Sequence, residues 1–281
     1  ERQPEAAAVR LGMPYIFAHL SIGNIITLIT ALLLERRIVV QCADLAVLTS
    51  TVMALPWLVR PFSWQTSFIP LVPPSLYTFL AAPVPYIAGV LTYPVGGYDN
   101  DVVVVHMEAD QVVGADDLPR LQRVDELSVK LGPPHDHLSE PSTSSDFSRR
   151  LKLSVDQATL REVLDGVLVI LSSELRTMIP MREIRGHCLQ HHNGPPPIEL
   201  TPEAKASWLA TVPPKETAFM SQLLDTQIFA SRLAEEAGAF EALPQTSMTA
   251  DKGGEGESAE MSKEVVEELT AQLAKVTRRL A

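Results

Sequence analysis

Ser21-Ile22-Gly23-Asn24-Ile25-Ile26-Thr27-Leu28-Ile29-Thr30-Ala31-Leu32-Leu33-Leu34-Glu35-Arg36-Arg37-Ile38-Val39-Val40-Gln41 changes its hydrophobic period partway through, and that change decides the fold class. Ile22, Ile25, Ile26, Ile29, Leu32 and Leu33 recur at the three-and-four spacing of one helix face, with Ser21 placed to cap the start. Glu35, Arg36 and Arg37 close that helix. Ile38-Val39-Val40-Gln41 follows at once, a short β-branched run of the kind that forms a strand buried on both faces of a parallel sheet.

Working outward, Asp44 opens a second helical stretch over residues 45–59, which Pro56 kinks or ends because proline lacks an amide proton and collides with the preceding turn. Phe68-Ile69-Pro70-Leu71 reads as a short strand, residues 76–81 as one or two helical turns, and residues 86–93 as another strand. A turn-rich loop, Pro94 through Asp101, leads into residues 102–107, the clearest β signal in the chain. Helices and strands that alternate with short connections predict an α/β fold, a mostly parallel sheet flanked by helices. An all-α segment follows. Residues 10–117 form the expected α/β lobe and residues 118–153 a mobile linker, judged from Gly132-Pro133-Pro134 and Ser142-Thr143-Ser144-Ser145. Residues 154–240 form the helical part, with Ser154 and Gln157 as a capping box and a single helix over residues 217–235. Residues 241–260 read as a disordered linker. Residues 261–281 read as a terminal amphipathic helix whose Val266, Leu269, Leu273, Val276 and Leu280 make a short heptad seam.

The chain has 281 residues, 46% of them apolar, enough for a sizeable core. Its formal charge of −11 argues against nucleic acid, which repels an acidic protein that has no basic stripe. With two cysteines, Cys42 and Cys188, it is not a disulfide scaffold, and a reducing cytosol fits best. The most apolar run, residues 22–34, is shorter than the roughly 20 residues a bilayer span needs. Glu1 in place of an initiator methionine suggests a fragment.

Chemical motifs are sparse. His187-Cys188-Leu189-Gln190-His191-His192 is crowded for a metal and reads as an exposed loop. Gly96-Gly97 lacks the lysine of a phosphate loop, and Asp116-Asp117 suits a helix start near Leu118 better than an acid pair. The reading assigns no catalytic group, no metal and no cofactor. Parallel sheets usually present binding residues on the loops after their strands, here beginning at Gln41, Leu91 and Met107. Asn24 and Asp44 are the surface candidates, with Trp64 and Tyr86 as aromatic contacts; for Trp64, Phe62 and Tyr86 the alternative is packing of the sheet edge. Glu35, Arg36 and Arg37 read either as a solvated helix end or as a Glu35–arginine pair.

The words Leu32-Leu33-Leu34-Glu35-Arg36-Arg37-Ile38-Val39-Val40, Pro61-Phe62-Ser63-Trp64-Gln65, Ile69-Pro70-Leu71-Val72-Pro73 and Ala82-Pro83-Val84-Pro85-Tyr86-Ile87-Ala88-Gly89-Val90, in this order, resemble the central region of the DENN family. In that resemblance Pro61, Pro70, Pro73, Pro83, Pro85 and Gly89 belong to the structural motif. Val102 to Asp110 resembles the strand and acidic turn that follow in that family, with His106 and Glu108 as a minor departure. Phe219-Met220-Ser221-Gln222-Leu223-Leu224-Asp225-Thr226-Gln227-Ile228-Phe229 resembles the helical C-terminal DENN segment. The resemblance implies a guanine nucleotide exchange factor for a Rab-type small GTPase, without covalent chemistry. It further implies an upstream longin-like lobe sharing the GTPase surface, and a cytoplasmic protein recruited peripherally to trafficking membranes. A DENN-fold adaptor without exchange activity is the alternative.

Overall fold

The computed structural model describes residues 3–92, 101–139, 157–190 and 200–241. Helix α1 (Gln3–His19) and helix α2 (Ile22–Leu33) precede strand β1 (Arg37–Gln41). Helix α3 (Leu45–Ala54) runs into a 3₁₀ turn over Leu55–Val59, so Pro56 ends the α-helix as its chemistry requires. Then come β2 (Ser67–Ile69), a kinked 3₁₀ segment (Pro74–Ala81), β3 (Tyr86–Val90), β4 (Val102–His106) and β5 (Gln111–Val113). The helical part comprises α4 (Val124–Ser139), α5 (Gln157–Met178), α6 (Met181–Gln190), α7 (Pro202–Leu209), α8 (Pro214–Leu223) and α9 (Gln227–Glu241).

The sheet has the order β2-β3-β1-β4-β5, with β1 central and every pair parallel except the last. The α/β expectation therefore holds. β1 is fully paired on both sides, which explains its β-branched run: Ile38 and Val40 face the large helical core while Val39 faces a smaller cluster with Tyr86, Ala88, Val102 and Val104. Gly89 sits where β3 passes under the β2 exit. A Cβ there would stand 2.2 Å from the Pro70 carbonyl oxygen, and the Gly89 carbonyl accepts the Val72 amide at 2.7 Å, so the bare backbone is a packing requirement.

The described residues up to Phe240 cluster as one compact unit, and one core runs from Val9 through Ile38 and Leu171 to Leu233. The α/β and helical parts share it. A Lys130–Glu174 ion pair and buried Leu127 and Leu131 tie α4 to the body. No described helix is long and apolar enough to cross a membrane.

Several expectations need correction. Val124–Ser139 is a helix within the stretch expected to be a linker, with Gly132-Pro133-Pro134 inside it. Leu127, Leu131 and Leu138 are buried and His135 hydrogen-bonds the Leu20 carbonyl at 3.0 Å, so tertiary packing overrides local propensity. Leu118 starts no helix; Asp117 instead pairs with Arg36 at 2.8 Å. The single helix expected over 217–235 is two, because Leu224, Asp225 and Thr226 make a turn. His187 lies in α6, its ring edge-on to Trp208 at 5.4 Å, and not in a loop. Ser154, the serines of 142–148, residues 94–100, His191, His192 and the heptad positions lie outside the described residues.

Candidate functional site: the carboxyl edge of the sheet

Neither sequence reading of Glu35 describes what it does. Leu34 ends α2 in a Schellman turn, with the Glu35 amide donating to the Leu32 carbonyl (3.1 Å) and the Arg36 amide to the Ala31 carbonyl (2.9 Å). Glu35 then occupies the position usually given to glycine, at φ 48. A left-handed conformation costs an L-residue about 1–2 kcal/mol. The offset is visible: the buried carboxylate accepts the amides of Gln227 (2.8 Å) and Ile228 (2.9 Å), the first turn of α9. Glu35 thus caps a helix almost two hundred residues downstream, fastening the helical part to the turn before β1. Burial raises its pKa, and the two amides pull it back only in part. Arg36 and Arg37 turn outward to Asp117 and Asp101, at 2.8 and 3.6 Å.

At the opposite end of β1, three connections meet. The chain leaves β1 through Cys42 and Ala43 to Asp44, whose Oδ1 accepts the amides of Ala46 (2.8 Å) and Val47 (3.0 Å) and so caps α3. It leaves β4 through a 3₁₀ turn, Met107–Ala109, and Asp110 at φ 46 before reversing into β5. Glu108 Oε1 accepts the Ala43 amide at 2.6 Å, joining the two turns. Asp110 Oδ1 accepts the Ser21 amide (2.8 Å) and the Asn24 side-chain amide (2.7 Å), and Asn24 also donates to the Asp110 carbonyl at 2.8 Å. His19 Nδ1 lies 3.1 Å from the Met107 carbonyl. Residues far apart in sequence therefore fix one rim.

Charge follows from these contacts. Desolvation raises the Glu108 pKa, but the Ala43 amide, its own amide, the Cys42 thiol and the charge of His19 outweigh it, and the net shift is downward. Cys42 is pushed up to about 12, chiefly by burial, so its thiol stays protonated. Burial and then the Asp44 charge raise Tyr15, placing α1 beside this rim. Gly12 seats α1 against α3: a Cβ there would be 1.9 Å from the Ser50 carbonyl oxygen. That helix pair exposes three large apolar side chains, Leu11 at 60%, Leu45 at 49% and Met53 at 41%. Leu45 directly follows Asp44, so the exposed apolar surface of this helix pair begins beside the acidic rim. It suits a partner carrying apolar and basic groups.

Of the sequence candidates, Asn24 bonds the 107–110 turn at Asp110, and Asp44 caps α3 next to Ala43, whose amide Glu108 holds. Both are half-buried and spend hydrogen bonds on backbone. Ser21 holds the N-cap position but makes no side-chain cap; its amide serves Asp110. Tyr86 is removed from the contact set: it is fully buried, its hydroxyl donating to the Leu80 carbonyl at 2.7 Å. Trp64 is half-buried and packs against the core. Phe62 is enclosed. Glu108 and Asp110 are rim residues that the sequence reading does not name singly, although it points to the loop beginning at Met107 on which both stand.

The sequence pattern of the DENN (AEX-3) domain family matches residues 3–111. Over 77 residues the chain is 34% identical to DENN domain-containing protein 2A of Mus musculus, covering 27% of this chain and 8% of that protein. It is 38% identical over 77 residues to protein 2B of Homo sapiens, covering 27% and 7%. With DENN domain-containing protein 1A of Xenopus laevis it is 32% identical over 110 residues, covering 37% and 11%. The matched stretch thus spans about a tenth or less of two of these relatives' length and 11% of the third's.

Proposed function

We propose, from the DENN (AEX-3) domain match over residues 3–111, that the chain is the α/β part of a guanine nucleotide exchange factor for a Rab-type small GTPase. The observation that supports the reading is the rim just described: a rigid, multiply bonded edge beside exposed Leu11, Leu45 and Met53. An upstream longin-like lobe completes the grip, and the intact protein acts in the cytoplasm, recruited peripherally to trafficking membranes.

Small GTPases hold nucleotide with dissociation constants that reach about the picomolar range, near −16 kcal/mol. Exchange breaks no covalent bond. The factor binds the switch segments in a shape that no longer holds Mg²⁺ and phosphate, which shifts a population toward the nucleotide-free state. A thousandfold to hundred-thousandfold acceleration needs roughly 4–7 kcal/mol of differential affinity. Such a difference calls for a broad surface that keeps its shape as the partner changes, and a rim whose turns are cross-bonded keeps its shape. The acidic residues at its edge speed encounter with a basic partner face.

The test is release of fluorescent GDP from a panel of Rab GTPases, driven by the full-length protein that contains this chain. Acceleration with at least one GTPase, reduced about tenfold or more by Leu45→Asp with unchanged thermal midpoint, is expected. No acceleration across the panel, with a stable complex that retains nucleotide, would instead identify an adaptor.

A further inference from the structure

A second surface lies away from the sheet edge, between the 3₁₀ turn Leu55–Val59 and helix α5. It is an open groove of about 640 Å³ whose walls include Trp57, Arg60, Leu168, Val169, Ser173 and Arg176. One wall is the turn. The Arg60 guanidinium lies 4.4 Å over the centre of the Trp57 ring, which fixes both side chains in a cation–π stack and presents a flat, positively charged shelf. The other wall is one face of α5, where Val169, Ser173 and Arg176 recur at helical spacing and Val169 is 68% exposed. Thr177 turns its hydroxyl back to the Ser173 carbonyl at 3.0 Å, so the face presents Leu168, Val169, the serines and Arg176.

Charge identifies the occupant. Among the described residues no carboxylate lines this groove, and neither Arg60 nor Arg176 has an ion-pair partner. Elsewhere the chain is acidic, at −11 overall. Two arginines without counter-ions, framing apolar surface, fit carboxylates flanking an apolar side chain. Anionic membranes are bound by clusters of about four to eight basic residues on an open face, which this groove does not have. We infer that the Trp57–Arg60 shelf and the Val169–Arg176 face of α5 form a docking groove for an acidic peptide segment of a partner protein, one apolar side chain packing on Leu168 and Val169 between the two guanidinium groups. The inference is independent of the exchange reading and of the sheet edge.

The experiment measures fluorescence anisotropy of labelled peptides carrying one leucine or tryptophan among aspartates and glutamates, beside counterparts with lysines in the acidic positions. Vesicles of phosphatidylcholine and phosphatidylserine are assayed in parallel. The chain is expected to bind the acidic set and not the lysine set. R60E/R176E should weaken acidic binding about tenfold or more and gain binding to the lysine set. Val169→Asp, at an exposed helical position, should weaken acidic binding as well, and it serves as the test should the double variant fail to fold. Absence of acidic-peptide binding, equal binding of both sets, binding unchanged in folded variants, or binding to vesicles alone would overturn the inference.

Discussion

Glu35 and Glu108 each hold backbone amide protons donated from a distant part of the chain, Glu35 from Gln227 and Ile228 and Glu108 from Ala43. Their settings differ. Glu35 is enclosed where the helical part meets the α/β part, and its pKa is raised because burial outweighs the amides. Glu108 stands exposed at the rim, and its donors outweigh desolvation, so its pKa is lowered. The same carboxylate-to-amide device thus joins two parts of the fold in one region and cross-links the turns of the sheet rim in the other. Loss of the first should be felt as stability and loss of the second as recognition.

Glu35→Ala breaks the comparison most severely. It leaves two amides of α9 without acceptors, and we expect a loss of about 2–4 kcal/mol in the urea unfolding free energy. Glu35→Gln, which keeps one acceptor oxygen, should lose about 1 kcal/mol. Gly89→Ala is the internal control for a pure packing defect, because its Cβ meets the Pro70 carbonyl; about 1–3 kcal/mol should be lost by the same measurement.

The two carboxylates also differ in the sign of their pH dependence. Glu35, with a raised folded pKa, contributes stability that is present below the ordinary carboxylate pKa and is lost as pH rises through the folded value. Glu108, with a lowered folded pKa, contributes stability that is present above the ordinary value and is lost as pH falls through the folded one. Chemical unfolding across the acid range should therefore show Glu35→Gln losing ground against the parent on the acid side of its window and recovering on the alkaline side. Glu108→Gln should do the reverse. The smallest effect expected is that of Arg36→Ala, whose ion pair to exposed Asp117 contributes less than about 1 kcal/mol.

How far the sequence could reveal these regions follows from how local each signal is. β1 and β4 were readable because a strand buried on both faces needs a continuous β-branched run, and Ile38-Val39-Val40 and Val102-Val103-Val104-Val105 are such runs. β5 was not, since Gln111-Val112-Val113 is too short to carry a period and becomes a strand only by pairing with β4. The α8–α9 break was hidden because Met220, Leu223, Leu224 and Ile228 keep helical spacing across it, although Thr226 before Gln227 is a capping signal. Helix α1 has Pro14 inside it and owes its place to Met13, Ile16 and Phe17 packing in the core. The rim was half legible. Asp44 announces a helix start, and Asn24 stands out as polar in an apolar helix, but that Asn24 and Ser21 meet Asp110 depends on β4 returning beside β1. Glu35 was legible as unusual and illegible as a cap, because its partners lie in the last helix described.

Amide hydrogen exchange on the full-length protein, alone and with a responsive nucleotide-free GTPase, tests this division of labour most directly. The amides of Leu45 and of residues 107–111 should slow on adding the GTPase, while that of Ile228, buried as well as held by Glu35, should be slow in both states. Rim amides indifferent to a GTPase that binds, with protection appearing elsewhere, would contradict the account.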